Sequence, residues 1–405
     1  LIWEKLFNAK GRDISSSIIQ EITELAVATE AISFGAGEPS LELYPLEELK
    51  AALVEVLEGS PEILSYSSPL GDENLRLWLS EWMFRKGYVS ERIDPENIIL
   101  TNGSQEALNL FSELFLCRGR KLLVEQPSYP DGLLAFLKEG VDLVPVKMDS
   151  EGPDPEDLEK QVKRTGARFF YTIPTFQNPS GICASLKRKK MIAELAREYD
   201  LLIIEDDPYR ELWFHQQPPG TYLSVMPGED RVIYIGSFSK TLAPGLRCGF
   251  MIMPGQLREK VSLLRVAMEL GPPVILQKAV ATFLKGGFFE EHLSGIRYEY
   301  RKKRDLIIEA LRSEMEPEEI QFQIPQGGFF IWGRLNNVDV DLFARFAARA
   351  GKVAFVPGSP FFVEPEKGRS FLRLAFPQIS RETAFEGVRA LHQALRSFQK
   401  ANHRC

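Results

Sequence analysis

The sequence predicts an α/β protein: a large domain built on a mainly parallel seven-stranded sheet flanked by helices, joined to a small α+β domain. Three observations carry this prediction. Between about residues 98 and 253, short β-branched runs alternate with helical patterns, as in a layered α/β unit. Most of those runs are apolar throughout, which suits strands covered on both faces. The chain has 405 residues, more than the roughly 250–300 that one core usually holds, so a second domain is expected.

The expected strands are 98–101 (IILT), 121–125 (KLLVE), 142–147 (DLVPVK), 168–173 (RFFYTI), 201–206 (LLIIED), 232–237 (VIYIGS) and 247–253 (RCGFMIM). Amphipathic segments such as 185–199 lie between them. The last two runs are joined by a loop too irregular for a crossover helix, which points to one antiparallel strand. After residue 290 the pattern changes. A long charged helical stretch leads to FQIPQGGFFIWGRL, a helix near 339–351, VAFVPG, FLRLAF and a terminal helix from 381. We assign 46–290 to the large domain, and 1–45 with 291–405 to the small one.

Composition narrows the function. There are 49 basic and 56 acidic residues, a net charge of −7, so no global footprint for nucleic acid or an anionic membrane is expected. No apolar run approaches the roughly 18 residues of a membrane span, and the N-terminal LIWEKLFNAKGRD has no apolar signal-peptide core. Cys117, Cys183, Cys248 and Cys405 show no CxxC spacing and read as scattered thiols of a cytoplasmic protein. His215, His292, His392 and His403 are dispersed and form no metal pattern.

In open α/β sheets, ligands bind beyond the carboxyl ends of the strands, so the residues ending each strand are the candidates. Thr101 runs into Asn102-Gly103-Ser104-Gln105 and a helix, an anion site or simply a helix cap. Tyr129 lies between two prolines and would cover a flat ligand or pack on its own domain. Asn178 sits in a Pro- and Gly-rich loop, aiming an amide or merely turning the chain. Asp206 ends a buried strand, where a carboxylate is costly without a partner such as a protonated ring nitrogen; an N-cap or a metal-binding acid is the other reading. Lys240 follows Ser237 and Ser239 and precedes a Pro-Gly loop and Arg247, an enclosed lysine or simply a surface lysine in a turn. Enclosure there would lower its pKa and make a nucleophilic amine, and the hydroxyls and the guanidinium suit a phosphate.

Together these residues resemble the fold-type I pyridoxal-phosphate (PLP) enzymes, in particular the class I/II aminotransferases. SFSKTLAPGLRCG (237–249) is the most specific stretch; DDPY (206–209), QNPSG (177–181), TNGSQEAL (101–108), ISFGAGEPS, SYSSPLGDENLR and FLRLAF follow in family order across nearly the whole chain. GAGEPSLELYP is similar to the corresponding motif of aminoadipate and kynurenine-type enzymes and of MocR-type regulators. Those regulators carry an additional N-terminal DNA-binding domain, for which the motifs beginning near residue 32 leave no room.

The resemblance implies a Schiff base on Lys240, which then shuttles protons. It implies Asp206 on the pyridinium nitrogen, Tyr209 and Asn178 on the ring oxygen, and Tyr129 stacked on the ring. Gly103, Ser104, Gln105, Ser237, Ser239 and Arg247 would surround the phosphate. Arg373 would grip the substrate α-carboxylate, with Asn178 and the backbone near Gly37 beside it. Tyr66 would reach a phosphate in the neighbouring subunit of a homodimer. Many relatives have Asn three residues before that arginine; here it is Ser370. The expected reaction is ping-pong transamination between an amino acid and a 2-oxo acid, 2-oxoglutarate by resemblance. β-Elimination and ligand sensing in a regulator use the same scaffold. Arg12 reads as a solvated helix-entry residue, with a distal substrate carboxylate as its other possible partner.

Overall fold

The computed structural model describes residues 3–13 and 16–402, so Cys405 and His403 lie outside it. All the expected strands of the large sheet form: β1 (Ile98–Thr101), β2 (Lys121–Gln126), β3 (Asp142–Asp149), β5 (Phe169–Thr172), β6 (Leu202–Asp206), β7 (Val232–Ser237) and β8 (Gly249–Ile252). A two-residue strand, β4 (Gly152–Pro153), folds back on β3 and makes the sheet eight-stranded. Two residues are too few to leave a periodic signal, so sequence alone gave no sign of it.

The strand order is β1-β8-β7-β6-β5-β2-β3-β4. β3, β2, β5, β6 and β7 are mutually parallel. β8 is antiparallel to both β7 and β1, so β1 points the same way as the parallel set. The carboxyl ends of β1, β2, β5, β6 and β7 therefore share one sheet edge with the amino end of β8. From β2 the chain moves outward to β3; from β5 it moves the other way, to β6 and β7. The reversal between β2 and β5 opens a crevice at that edge.

Period-two alternation covers both faces. Leu122, Val124, Tyr171, Ile204 and Ile233 face one core with Leu108 and Phe111 of the helix Ser104–Phe115. Leu123, Phe170, Ile203 and Val232 face another with Ile192 and Ala196 of the helix Leu186–Glu198. That second helix starts where the Ser185 hydroxyl accepts the Arg188 N–H at 3.1 Å, a standard N-cap.

The C-terminal part forms a four-stranded antiparallel sheet from β9 (Ile320–Phe322), β10 (Phe330–Leu335), β11 (Val356–Pro357) and β12 (Phe371–Ala375), ordered β9-β10-β12-β11. The helices Phe289–Glu314, Val340–Ala350 and Arg381–Asn402 accompany it. Residues Ile32–Ser33 pair in parallel with Val353–Ala354, and the helix Ile18–Ala28 packs Ile22 and Ala26 against Ala348 and Ala354. No helix among the described residues is long and apolar enough to cross a membrane.

Gly249 shows how tightly the site edge is built. A Cβ there would lie 2.8 and 2.9 Å from backbone atoms of Gly103 and 3.0 Å from the carbonyl of Gly236. Backbone on two sides cannot rotate away, so Gly249→Ala is expected to cost about 1–3 kcal/mol in denaturant unfolding. Gly245→Ala, with open space around its Cβ, should change stability by under about 0.5 kcal/mol. Equal effects of the two would show that this close approach is not what fixes Gly249.

Candidate active site

The shared sheet edge opens into a cavity of about 590 Å³. Its lining includes Gly37, Ser104, Gln105, Tyr129, Asn178, Asp206, Tyr209, Ser237, Ser239, Lys240, Arg247 and Arg373, residues spread over more than 330 positions of sequence. Gly103 lies at its margin, where an added Cβ would meet the Arg247 guanidinium at 2.6 Å. Tyr66 is not brought in. It is 87% exposed and lines a separate groove with Glu269, Gly271 and Pro272.

Lys240 follows β7 in a tight turn, where the Leu242 N–H bonds the Phe238 carbonyl at 2.8 Å. Its Nζ donates to the Gly37 carbonyl at 2.8 Å, tying the N-terminal segment over the sheet edge. Lys240 keeps some accessible surface on the cavity, yet protein surrounds its amine on most sides. Burial lowers its pKa to about 8, partly opposed by Glu38 and reinforced by Arg373 and Arg247.

Asp206 ends β6 and is 2% exposed. The Tyr171 hydroxyl, from neighbouring β5, donates to its Oδ2 at 2.8 Å. Its Oδ1 has no hydrogen-bond partner among the described residues. Burial pushes its pKa up to about 7; Tyr171 opposes this, and Asp207 and Glu125 add to it. Tyr209 packs edge-on against Phe329 and Phe330 with ring centroids 5.8 and 5.7 Å away, and burial raises its pKa.

Arg373 projects from β12 and is 1% exposed. Its Nη1 donates to Asn178 Oδ1 at 3.0 Å and its Nη2 to the Gly35 carbonyl at 2.6 Å. The guanidinium lies 4.3 Å from the Phe330 ring centroid, and its Nε has no partner among the described residues. Burial lowers its pKa to about 10. The backbone around Gly37 supplies carbonyls to both cations: that of Gly35 meets Arg373 and that of Gly37 accepts from Lys240. With its oxygen engaged by Arg373, Asn178 turns its amide N–H side to Tyr209 on the same cavity.

Gly103 has φ +78° and precedes the helix Ser104–Phe115, whose first N–H groups open on the cavity. Arg247 has φ +44°, which is why β8 begins two residues later than the apolar run suggested. Its Nη2 donates to the Asn102 carbonyl at 2.8 Å. The Ser239 N–H bonds Ser237 Oγ at 3.1 Å, leaving that hydroxyl free to donate. Arg12 is exposed and donates to the Phe7 carbonyl at 3.0 Å, away from the cavity.

Sequence reasoning missed Tyr171, Glu38, Phe330 and the cavity-facing residues Ile19, Thr23 and Val27 of the helix Ile18–Ala28. Tyr171 lies mid-strand in an apolar run and reads as core. The others reach the site through tertiary packing and leave no local signal.

Residues 29–391 match the family model for aminotransferase class I and II. The chain belongs to that family. It is 37% identical over 401 residues to the 2-aminoadipate transaminase of Thermus thermophilus, covering 98% of each. It is 32% identical to an HTH-type transcriptional regulator of Bacillus subtilis, covering 95% of this chain and 78% of that one. A crystal structure of a Thermus thermophilus α-aminoadipate aminotransferase complexed with N-(5′-phosphopyridoxyl)-L-leucine superposes with a TM-score of 0.90 at 35% identity, over 99% of this chain and 100% of that one. This protein is thus a PLP-dependent aminotransferase of fold type I.

The Asp206 environment has a measurable consequence in cofactor-free protein. A carboxyl whose folded pKa is raised keeps its proton in the native state after the unfolded chain has lost it. Stability therefore falls as pH rises from the unfolded value near 4 to the folded value of about 7. Asp206→Asn removes this titration while keeping an acceptor for Tyr171. The cofactor-free variant should match wild type near pH 4 and gain about 2–4 kcal/mol by pH 8, read from thermal or urea melts across that range. A pH-independent difference would overturn this assignment.

Proposed function

We propose that the cavity binds PLP through Lys240, Asp206 and the Ser104–Arg247 edge, and transfers the amino group of an L-amino acid held by Arg373 to a 2-oxo acid. One observation carries this reading. Two buried groups of opposite charge, Asp206 and Arg373, each keep an unpartnered polar atom, and both line one cavity with a partly deprotonated lysine. Asp206 Oδ1 suits a protonated ring nitrogen and Arg373 Nε a carboxylate. The close approach of Arg247 to Gly103 and the helix start at Ser104 suit a phosphate. The residues therefore fit the cofactor.

When bound, PLP withdraws the electron pair left at the substrate α-carbon and carries the amino group between the two half-reactions. The protein's part is positional and electrostatic. Asp206, ionised against a ring cation, would keep that nitrogen protonated, with Tyr171 holding the carboxylate in place. Tyr209 and the Asn178 amide would donate to the ring oxygen, and Tyr129 would cover the ring face. Lys240, its pKa lowered to about 8 by burial, would take the proton from the substrate α-carbon and deliver it to the cofactor carbon that receives the amino group, with the reverse in the second half-reaction. Arg373 fixes the α-carboxylate and so the orientation of the bond to be broken.

By family resemblance the acceptor is 2-oxoglutarate and the enzyme is a cytoplasmic homodimer. The exposed Tyr66 and Leu64, 87% and 72% accessible beside the Pro272–Pro273 groove, support a second copy lying there. Tyr66 would then reach the partner's phosphate.

A single-turnover experiment tests the function. Holoenzyme mixed with a panel of amino acids, without acceptor, should convert its cofactor stoichiometrically to the amine form and release one 2-oxo acid. Ammonia and pyruvate without the amine form would make it a lyase. Lys240→Ala should leave the cofactor removable by desalting and abolish the visible band of the lysine-bound form; retention of that band would refute Lys240. Arg373→Lys should raise the amino-acid KM tenfold or more, on the order of 1.4 kcal/mol, because a point charge cannot replace the fork; an unchanged KM would assign the carboxylate to another group.

A further inference from the structure

We propose that Arg265, which does not line the cavity, is a positioning residue for the cofactor's phosphate. It locks the Asn102–Gly103–Ser104 turn and ties that turn to the loop carrying Tyr66. The proposal rests on the reading of that turn as the phosphate site.

Arg265 lies in the helix Arg258–Glu269 and is 0% exposed. A guanidinium so placed needs donors matched on every side, and all three of its nitrogens are engaged. Nε donates to Glu269 Oε1 at 2.8 Å, Nη2 to Glu106 Oε2 at 3.1 Å, and Nη1 to the carbonyls of Pro69, at 3.0 Å, and Leu100.

The two acids extend this grip to the turn. Glu106 Oε2 also accepts the Asn102 backbone N–H, and Glu269 Oε2 accepts the Asn102 side-chain amide at 3.2 Å. Arg247 holds the Asn102 carbonyl at 2.8 Å. Asn102 is thus fixed at its backbone nitrogen, its side chain and its backbone oxygen. The positive φ of Gly103 and the first N–H groups of the following helix inherit that orientation.

The other side of Arg265 faces the loop before β1. Pro69 and Leu100 supply the carbonyls, and the Leu100 N–H bonds the Leu70 carbonyl at 2.9 Å. Three residues before Pro69 stands the exposed Tyr66. Where the Arg265 helix ends, Gly271 approaches the Ser67 carbonyl so closely that a Cβ would lie 3.2 Å from it. One buried cation therefore sets the spacing between the turn and the Tyr66 loop. Lysine cannot do this, because one ammonium cannot reach acids and carbonyls in several directions of one plane.

The test compares PLP with pyridoxal, which lacks the phosphate. Holoenzyme is stripped and the cofactor-free protein is titrated with each, following absorbance, for wild type, Arg265→Lys, Glu106→Gln and Arg247→Gln; its melting temperature is recorded in parallel. Arg265→Lys should raise the Kd for PLP about tenfold or more, the scale on which outer partners tune bound metals. The Kd for pyridoxal should stay within about twofold. A merely structural arginine would lower the melting temperature and move both constants together or neither, and either result overturns the proposal. If Arg265→Lys does not fold, Glu106→Gln, which keeps shape and removes charge, is judged by the same criterion. If Arg247→Gln leaves the PLP-to-pyridoxal ratio unchanged, the phosphate site itself is misassigned, and the proposal falls with it.

Discussion

A carboxylate at the end of a strand buried on both faces is the constraint around which this site is organised. Asp206 is 2% exposed, and one of its two oxygens meets only the Tyr171 hydroxyl. The other meets no partner among the described residues. Desolvation pushes its pKa to about 7, so the protein alone holds it poorly as an anion. A bound cation reverses that preference. On the proposed reading, that cation is a protonated ring, and the fold accepts a local loss of stability for an anion that is well satisfied only in its presence.

Near Asp206 lies a layer of buried charged side chains that partly satisfy one another, although Glu205 Oε1 and Asp207 Oδ1 have no hydrogen-bond partner among the described residues. Arg210 is paired with Asp207, and its Nη1 and Nη2 reach the Pro219 carbonyl at 2.9 Å and Thr175 at 3.2 Å. Lys189 donates to the Gly220 carbonyl at 2.9 Å and lies 3.8 Å from Glu205. Glu125 accepts the Ile173 N–H at 2.9 Å and the Gln177 amide at 3.3 Å. Thr175, Ile173 and Gln177 all belong to the loop that ends in Asn178. The buried ionic layer therefore braces the loop that carries Asn178, which is a use of buried charge for position rather than for stability.

Much of this was legible in the sequence because strand ends are legible. An apolar run that stops at Asp206, at Ser237 before Lys240, or at Thr101 before a glycine turn marks both the sheet edge and the polar groups presented there. The parallel orientation of β1 with the distant β2, β5, β6 and β7 needs the antiparallel β8 between them, and the irregular loop before β8 was the only hint. Tyr171 was not legible: its hydroxyl reaches Asp206 because Tyr171 pairs with Ile204, two residues back along β6 on the same face. Register of that kind is a tertiary fact. Arg265 was hidden for the same reason, being an ordinary helical arginine until the Asn102 turn and the Pro69 carbonyl close around it.

The two ends of the cavity complement each other. Arg373 comes from β12, in the other sheet, and is held by Asn178, by the Gly35 carbonyl and by the Phe330 face, with its pKa lowered to about 10 by burial. Asn178 and Gly35 come from chain segments 143 residues apart, so the guanidinium can be seated only when the N-terminal segment, the β5 loop and the C-terminal sheet are all in place. At the sheet floor a half-satisfied anion awaits a cation; at the C-terminal sheet a half-satisfied cation awaits an anion. Lys240 lies on the same cavity and is bonded to the same N-terminal segment. A ligand carrying only one of the two charges would leave the other end desolvated and unmatched. The arrangement therefore suits a cationic group at the Asp206 end and a carboxylate at the Arg373 end of one cavity.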